Sequence, residues 1–90
     1  MKSRILVVDD EESIREFLNI MLKKEGYDVT CVEDGQKAID LIKKKSFDMI
    51  ISDLQMPNVT GIELLKLVKE HNPDMLFMLI TAFGTTETAV

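Results

Sequence analysis

Short apolar runs alternate along this chain with longer stretches whose apolar residues fall at helical spacing. No other feature limits the fold as strongly. The runs are Ile5-Leu6-Val7-Val8, Met49-Ile50-Ile51 and Met75-Leu76-Phe77-Met78-Leu79-Ile80. Continuous apolar runs of this length read as strands buried on both faces. A fourth strand, Asp28 to Val32, has the alternating character expected of a sheet edge. Between the strands, Ile14, Phe17, Leu18, Met21 and Leu22 repeat at helical spacing, as do Ala38, Leu41 and Ile42, and then Ile62, Leu64, Leu65 and Val68. Strand, helix, strand, helix, strand, helix, strand implies a parallel sheet with right-handed crossovers and helices on both faces.

The spacing predicts strands over about residues 4–8, 28–32, 48–52 and 75–81 and helices over about 13–25, 35–44 and 61–71, with a fourth helix starting at 85–90. Ser13 with Glu16 has the form of a capping box. Lys23 and Lys24 suit a helix C-terminus, and Gly26 reads as its left-handed cap. Asp34 is placed to cap helix 2, and Thr85 or Thr86 to cap helix 4. Asn72-Pro73 stops helix 3, since the residue before proline avoids the helical region. Met56-Pro57 reads as a rigid turn, and Gly61 as a tight entry into helix 3. The run Lys43-Lys44-Lys45 reads as a solvated helix end.

Ninety residues fit one domain, and a hydrophobic fraction of 46% is enough for a core. The net charge of −5 argues against nonspecific attraction to nucleic acid by this segment. No apolar stretch approaches the roughly 20 residues that span a bilayer. Met-Lys-Ser-Arg runs directly into a strand and does not read as a signal peptide. The single cysteine, Cys31, excludes an internal disulfide and fits a reducing, cytoplasmic setting, with a small core residue as its expected role. His71 falls at a helix end, where a surface residue favoured by the dipole is expected rather than a ligand.

Chemistry gathers at the strand ends. Asp9 and Asp10 follow strand 1, and Asp53 follows strand 3. In the flavodoxin-like order 2-1-3-4-5 those two strands are neighbours at the topological switch point, where ligands bind beyond the carboxyl ends. Three carboxylates meeting there repel unless protonated or neutralised by a cation. Oxygen-only ligands suit a hard ion such as Mg²⁺, and that ion points to phosphate chemistry. Singly, Asp9-Asp10 reads equally as a capping turn and Asp53 as a loop turn. Capping does not account well for their joint placement.

The whole pattern resembles the receiver domain of bacterial two-component response regulators. The residues that carry the likeness are Val7-Val8-Asp9-Asp10-Glu11, Asp53-Leu54-Gln55-Met56-Pro57, Gly61 and Thr81-Ala82, from residue 4 to residue 90. The tail Thr81 to Val90 looks most like receivers of the nitrogen-regulation type, which precede ATPase and DNA-binding domains in sigma-54 activators. The resemblance implies a cytoplasmic phosphoacceptor rather than a turnover enzyme. Asp53 would take the phosphoryl group from a sensor histidine kinase. Asp10, Asp53 and the backbone carbonyl of Gln55 would hold Mg²⁺, with Asp9 acting on it through water. Thr81 would donate a hydrogen bond to the phosphoryl group and turn inward as a switch. Ala82 would keep the acyl phosphate accessible, and Gln55 and Phe83 would flank the hydrolytic water. Pro57 and Gly61 would support the Asp53 loop.

A complete receiver has about five strands and five helices. The expected architecture here is therefore an incomplete three-layer, doubly wound parallel α/β sheet of order 2-1-3-4, lacking strand 5, helix 5 and the family's strand-5 lysine. That pattern reads as a truncated piece of a longer regulator whose DNA contacts would lie in an absent output domain. An exposed apolar strand 4 is a template for pairing, so self-association is expected, most simply as a homodimer through strand 4 or the bared sheet face. Two other readings compete with signalling. One is a phosphorylation-impaired assembly fragment. The other is a Mg²⁺-dependent phosphatase, disfavoured because Gln55 stands where that class usually has a second aspartate.

Overall fold

The computed structural model describes residues 2–80. The elements in chain order are β1 (Arg4–Val8), α1 (Glu12–Lys24), β2 (Asp28–Val32), α2 (Gly35–Ile42), β3 (Met49–Asp53), α3 (Gly61–His71) and β4 (Leu76–Ile80). All strand pairings are parallel, in the order β2-β1-β3-β4. Thr81, Ala82, Phe83 and the expected fourth helix lie outside the described residues.

The two-residue period of β1 and β3 divides the core. Leu6, Val8 and Ile50 point to one face, where Ala38 and Ile42 of α2 and Leu64 and Val68 of α3 cover them. Ile5, Val7, Val29 and Ile51 point to the other, where Leu18 and Leu22 of α1 pack. Both faces are apolar because helices lie on both, which explains the unbroken runs in the sequence. Complete burial of a side chain such as Leu6, Ile50 or Leu64 contributes roughly 1.5–3 kcal/mol.

The α1 face is thinly covered. No residue of α1 is buried, and Phe17, Ile20 and Met21 stand 60%, 67% and 41% exposed. The periodicity identified an apolar stripe on α1, but only Leu18 and Leu22 of it pack on the sheet cluster. A groove of about 460 Å³ remains between α1 and the β3–β4 side of the sheet, lined by Leu18, Met21, Leu22, Ile51, Met78 and Ile80. Ile62, one of the apolar residues at helical spacing in α3, is also exposed, leaving Leu64 and Val68 as that helix's core residues.

The helix ends follow local chemistry, with one correction. Glu11, extended at φ −95°, is the N-cap of α1 and makes no side-chain capping bond, so Ser13 and Glu16 form no capping box. The entry to α1 is held instead by Asp9, whose carboxylate accepts Glu11 N–H and whose carbonyl accepts the Arg15 guanidinium. The capping box lies at α3 instead: Glu63 N–H donates to Thr60 Oγ1 at 3.2 Å, and Thr60 N–H donates to Glu63 Oε1 at 3.0 Å. Asp34 caps α2, its Oδ1 accepting Lys37 N–H at 2.8 Å. Gly26, at φ +95°, closes α1. Its N–H donates to the Lys23 carbonyl at 3.0 Å, and Tyr27 N–H donates to that of Leu22 at 3.1 Å. That pair of bonds is a Schellman motif, which needs a left-handed residue. Helix α2 ends at Ile42 rather than 44, where the chain tightens and Lys44 N–H donates to the Leu41 carbonyl three residues back at 2.9 Å.

Candidate functional site

Asp9 and Asp53 are carried to one edge by the β1–β3 ladder, in which Val8 pairs with Ser52. Asp53 is the last residue of β3 rather than the first of a loop, and it pairs in register with Ile80 of β4. One carboxylate oxygen from each of Asp9, Asp10 and Asp53 can be chosen so that all lie within 4.8 Å of one another. Asp9 and Asp53 are 2% and 4% exposed, whereas Asp10 is open to solvent. The site is thus a pocket with two buried acids at its base and one at its rim.

Each buried acid is oriented by the main chain. Asp9 Oδ1 accepts Glu11 N–H at 2.9 Å, and Asp53 Oδ1 accepts Gln55 N–H at 3.4 Å. Both carboxyls titrate above the ordinary aspartate value. For Asp9, burial is the main cause; the Glu11 N–H works in the opposite direction, and the charges of Asp53 and Asp10 add to the rise. For Asp53, burial again leads, opposed by the Gln55 N–H and reinforced by Asp10. Neither ion pair among the described residues, Arg4–Asp28 and Lys37–Glu33, involves the cluster. An oxygen-only donor set of surplus negative charge, half open to water, fits a hard divalent ion that keeps several waters.

The Asp53 loop is pinned on both sides. Met56, expected only as part of a rigid turn, is buried in the α2–α3 core. Pro57 is exposed, and its carbonyl accepts Val59 N–H at 2.8 Å. Asn58 takes φ +70° between them. Gly61 N–H donates to the Leu54 carbonyl at 2.9 Å, and Leu54 N–H to that of Ile80 at 2.8 Å. Gly61 is required for proximity: a β-carbon there would come 2.8 Å from Leu79 Cδ2 and would collide with the Asp53 carbonyl oxygen. Gln55 lies exposed beside the acids.

One contributor had no motif to mark it. Arg15, on the first turn of α1, donates from Nη1 to the Asp9 carbonyl at 2.8 Å. Cys31 is half-buried, its thiol against the Arg15 carbonyl at 3.7 Å, and burial pushes that thiol's pKa up. His71 is exposed at the end of α3 and lines a cleft with Lys43, Lys44 and Lys45 at the opposite edge of the sheet from the acids. No helix among the described residues is long and apolar enough to cross a membrane.

Comparison with known proteins agrees with this geometry. The family model "Response regulator receiver domain" matches residues 5–90. Transcriptional regulatory protein ZraR of Klebsiella oxytoca is 37% identical over 96% of the chain, which spans only 19% of that protein. Sporulation initiation phosphotransferase F of Bacillus subtilis is 36% identical over 93% of the chain, which spans 68% of it. The response regulator TrrA of Thermotoga maritima has been solved with Mg²⁺-BeF, with a TM-score of 0.87 and 38% identity over 93% of this chain and 72% of that one. It has also been solved with the histidine kinase ThkA, with a TM-score of 0.88 and 36% identity over 100% of this chain and 77% of that one. Shared strand order, an acid cluster at the switch point and a match over nearly all of its length make this chain a member of the response regulator receiver domain family.

Proposed function

We propose that the domain accepts a phosphoryl group on Asp53 from the phosphohistidine of a sensor kinase and, through that modification, controls an output domain that regulates transcription. The observation that carries this reading is the meeting of Asp9, Asp10 and Asp53 beyond two adjacent parallel strands, with Asp53 buried and directed by the Gln55 N–H. An oxygen of Asp53 attacks phosphorus in line, the P–N bond to the kinase imidazole breaks, and the imidazole leaves. Asp10, Asp53 and the Gln55 carbonyl would hold Mg²⁺ directly, and Asp9 would act on it through water. Bound Mg²⁺ would neutralise the charge that accumulates between the carboxylates and the phosphoryl oxygens. The chain's own part is to hold the nucleophile still in a site where the reacting groups are already aligned.

Thr81, at the chain position after β4, is proposed as the phosphoryl hydrogen-bond donor and switch. Ala82 would leave the phosphoryl group accessible, and Gln55 and Phe83 would set its lifetime. Pro57 and Gly61 hold the loop. The complex of TrrA with the kinase ThkA supports a histidine kinase as partner. The nitrogen-regulation subfamily rests on the tail from Thr81 to Val90. The similarity to ZraR favours a transcription regulator, but the phosphotransferase is almost equally similar.

The test is incubation with Mg²⁺ and acetyl phosphate, followed by intact-mass measurement. One added phosphoryl group is expected, absent in Asp53→Asn and without added Mg²⁺. Uptake retained in Asp53→Asn would refute the assignment.

A second reading, self-association, has its own support. Leu76 and Met78 of β4 are 63% and 47% exposed, β4 ends the sheet among the described residues, and the α1 groove continues from it. A second copy pairing along β4 would cover both.

A further inference from the structure

We infer that Arg15 is a positioning residue for the metal site, locking the Asp9-Asp10 turn through the Asp9 carbonyl so that the Asp10 carboxylate faces Asp53. This rests on the Mg²⁺ reading of the cluster given above.

The Asp9-Asp10 peptide is planar, so the direction of the Asp9 carbonyl sets the orientation of the following residue. Asp10 is exposed and sits in a turn with no capping side chain. Its own side chain makes no hydrogen bond among the described residues to keep it over the pocket. The turn is held from three sides instead. Asp9 N–H donates to the Val32 carbonyl at 3.2 Å. The Asp9 carboxylate accepts Glu11 N–H at 2.9 Å. Arg15 Nη1 donates to the Asp9 carbonyl at 2.8 Å. Of these, only the Arg15 contact acts directly on the peptide unit that leads into Asp10. Arg15 is also tied elsewhere: its N–H donates to the Glu11 carbonyl at 3.1 Å, and its carbonyl receives the Cys31 thiol at 3.7 Å. The guanidinium therefore comes from a residue braced against β2, within a helix that contributes no buried side chain.

Charge and geometry predict opposite outcomes here, which makes the inference testable. By Coulomb's law alone, removing a cation beside an acidic pocket strengthens binding of a second cation. If Arg15 orients a ligand, removing it weakens binding. Partners that orient metal ligands typically matter by 10–100-fold in metal affinity.

The experiment is calorimetric titration of Mg²⁺ into the wild type, Arg15→Met, Arg15→Lys and Asp10→Asn, with circular dichroism to establish folding. Arg15→Met is expected to bind roughly tenfold more weakly. Arg15→Lys, able to donate to the same carbonyl, should recover part of that loss. Arg15→Met binding as tightly as the wild type, or more tightly, overturns the inference, as does Arg15→Lys binding no better than Arg15→Met. Should Arg15→Met not fold, Arg15→Gln, too short to reach the carbonyl, replaces it under the same criteria. A wild type that binds no Mg²⁺, or Asp10→Asn binding as the wild type does, would defeat the metal-site reading itself. A wild type that binds, beside an unaffected Arg15→Met, defeats only the role of Arg15.

Discussion

Gly61 lies against the main-chain carbonyl of Asp53, so that the first residue of α3 and the proposed nucleophile share a space with no room for a β-carbon. Leu79 Cδ2 and Leu54 Cα would also be met, at 2.8 and 3.0 Å. Gly61→Ala is therefore expected to cost about 1–3 kcal/mol, as overpacking does, and to displace the Asp53 loop. Thermal unfolding should show a fall of roughly 4–8 °C per kcal/mol, together with slower phosphoryl uptake. An unchanged melting temperature would mean that the loop yields freely.

The buried acids make metal-free stability depend on pH with a definite sign. Asp9 and Asp53 have folded-state pKa values raised, first by burial. Between the unfolded and the folded pKa the native state holds more protons than the unfolded chain. These two groups thus favour folding fully below the unfolded aspartate value, and that contribution is lost as pH rises through the raised values. Without metal, both groups should lower the stability of the fold at neutral pH. Asp9→Asn and Asp53→Asn should each raise the metal-free melting temperature at pH 7, and Mg²⁺ should raise that of the wild type but scarcely that of Asp53→Asn. A wild-type melting temperature insensitive to Mg²⁺ at pH 7 would count against the cluster as a cation site.

The capping box of α3 provides a control remote from the chemistry. Thr60→Ala removes a side-chain bond to Glu63 N–H and should cost about 1 kcal/mol. The carboxyl of Glu63 lies below its usual range, first because of the Thr60 N–H. Its contribution is present above the unfolded pKa and fades as pH falls through the folded one. Urea unfolding should reveal the loss at pH 7, with Mg²⁺ affinity unchanged.

Leu76→Lys with Met78→Glu places charges on the exposed edge formed by β4. Charges on an edge strand oppose strand addition. Sedimentation velocity should show association in the wild type and a monomer in the double variant. A wild type that sediments as a monomer at high concentration would remove the basis for the β4 contact.

Much of this arrangement could be read from residue order. The unbroken apolar run located β1, because burial on both faces leaves little latitude in a parallel strand, whereas β2, at the sheet edge, was marked by alternation. Asp34 and Gly26 announced their helix ends, since each acts within its own segment. The entry to α1 was misread because Ser13 and Glu16 satisfy a local pattern while the bonds that hold the turn come from Asp9 and Arg15. Periodicity marked Phe17, Met21 and Ile62 as apolar positions but carries no information on what covers them, and all three are exposed. The role of Met56 as an anchor in the α2–α3 core depended on a tertiary contact that no short motif encodes. The acids were placed together correctly because β1 and β3 are neighbours in this strand order.

That adjacency also governs when the pocket comes into being. Asp9 and Asp53 belong to segments separated by two helices and a strand, and they meet only through the pairing of Val8 with Ser52 and its neighbours. Neither a nascent β1–α1–β2 unit nor an isolated β3 hosts the full constellation. A cation held there would act as a clasp on the longest loop closed by the central ladder, so ion occupancy would report whether the centre of the sheet has zipped shut.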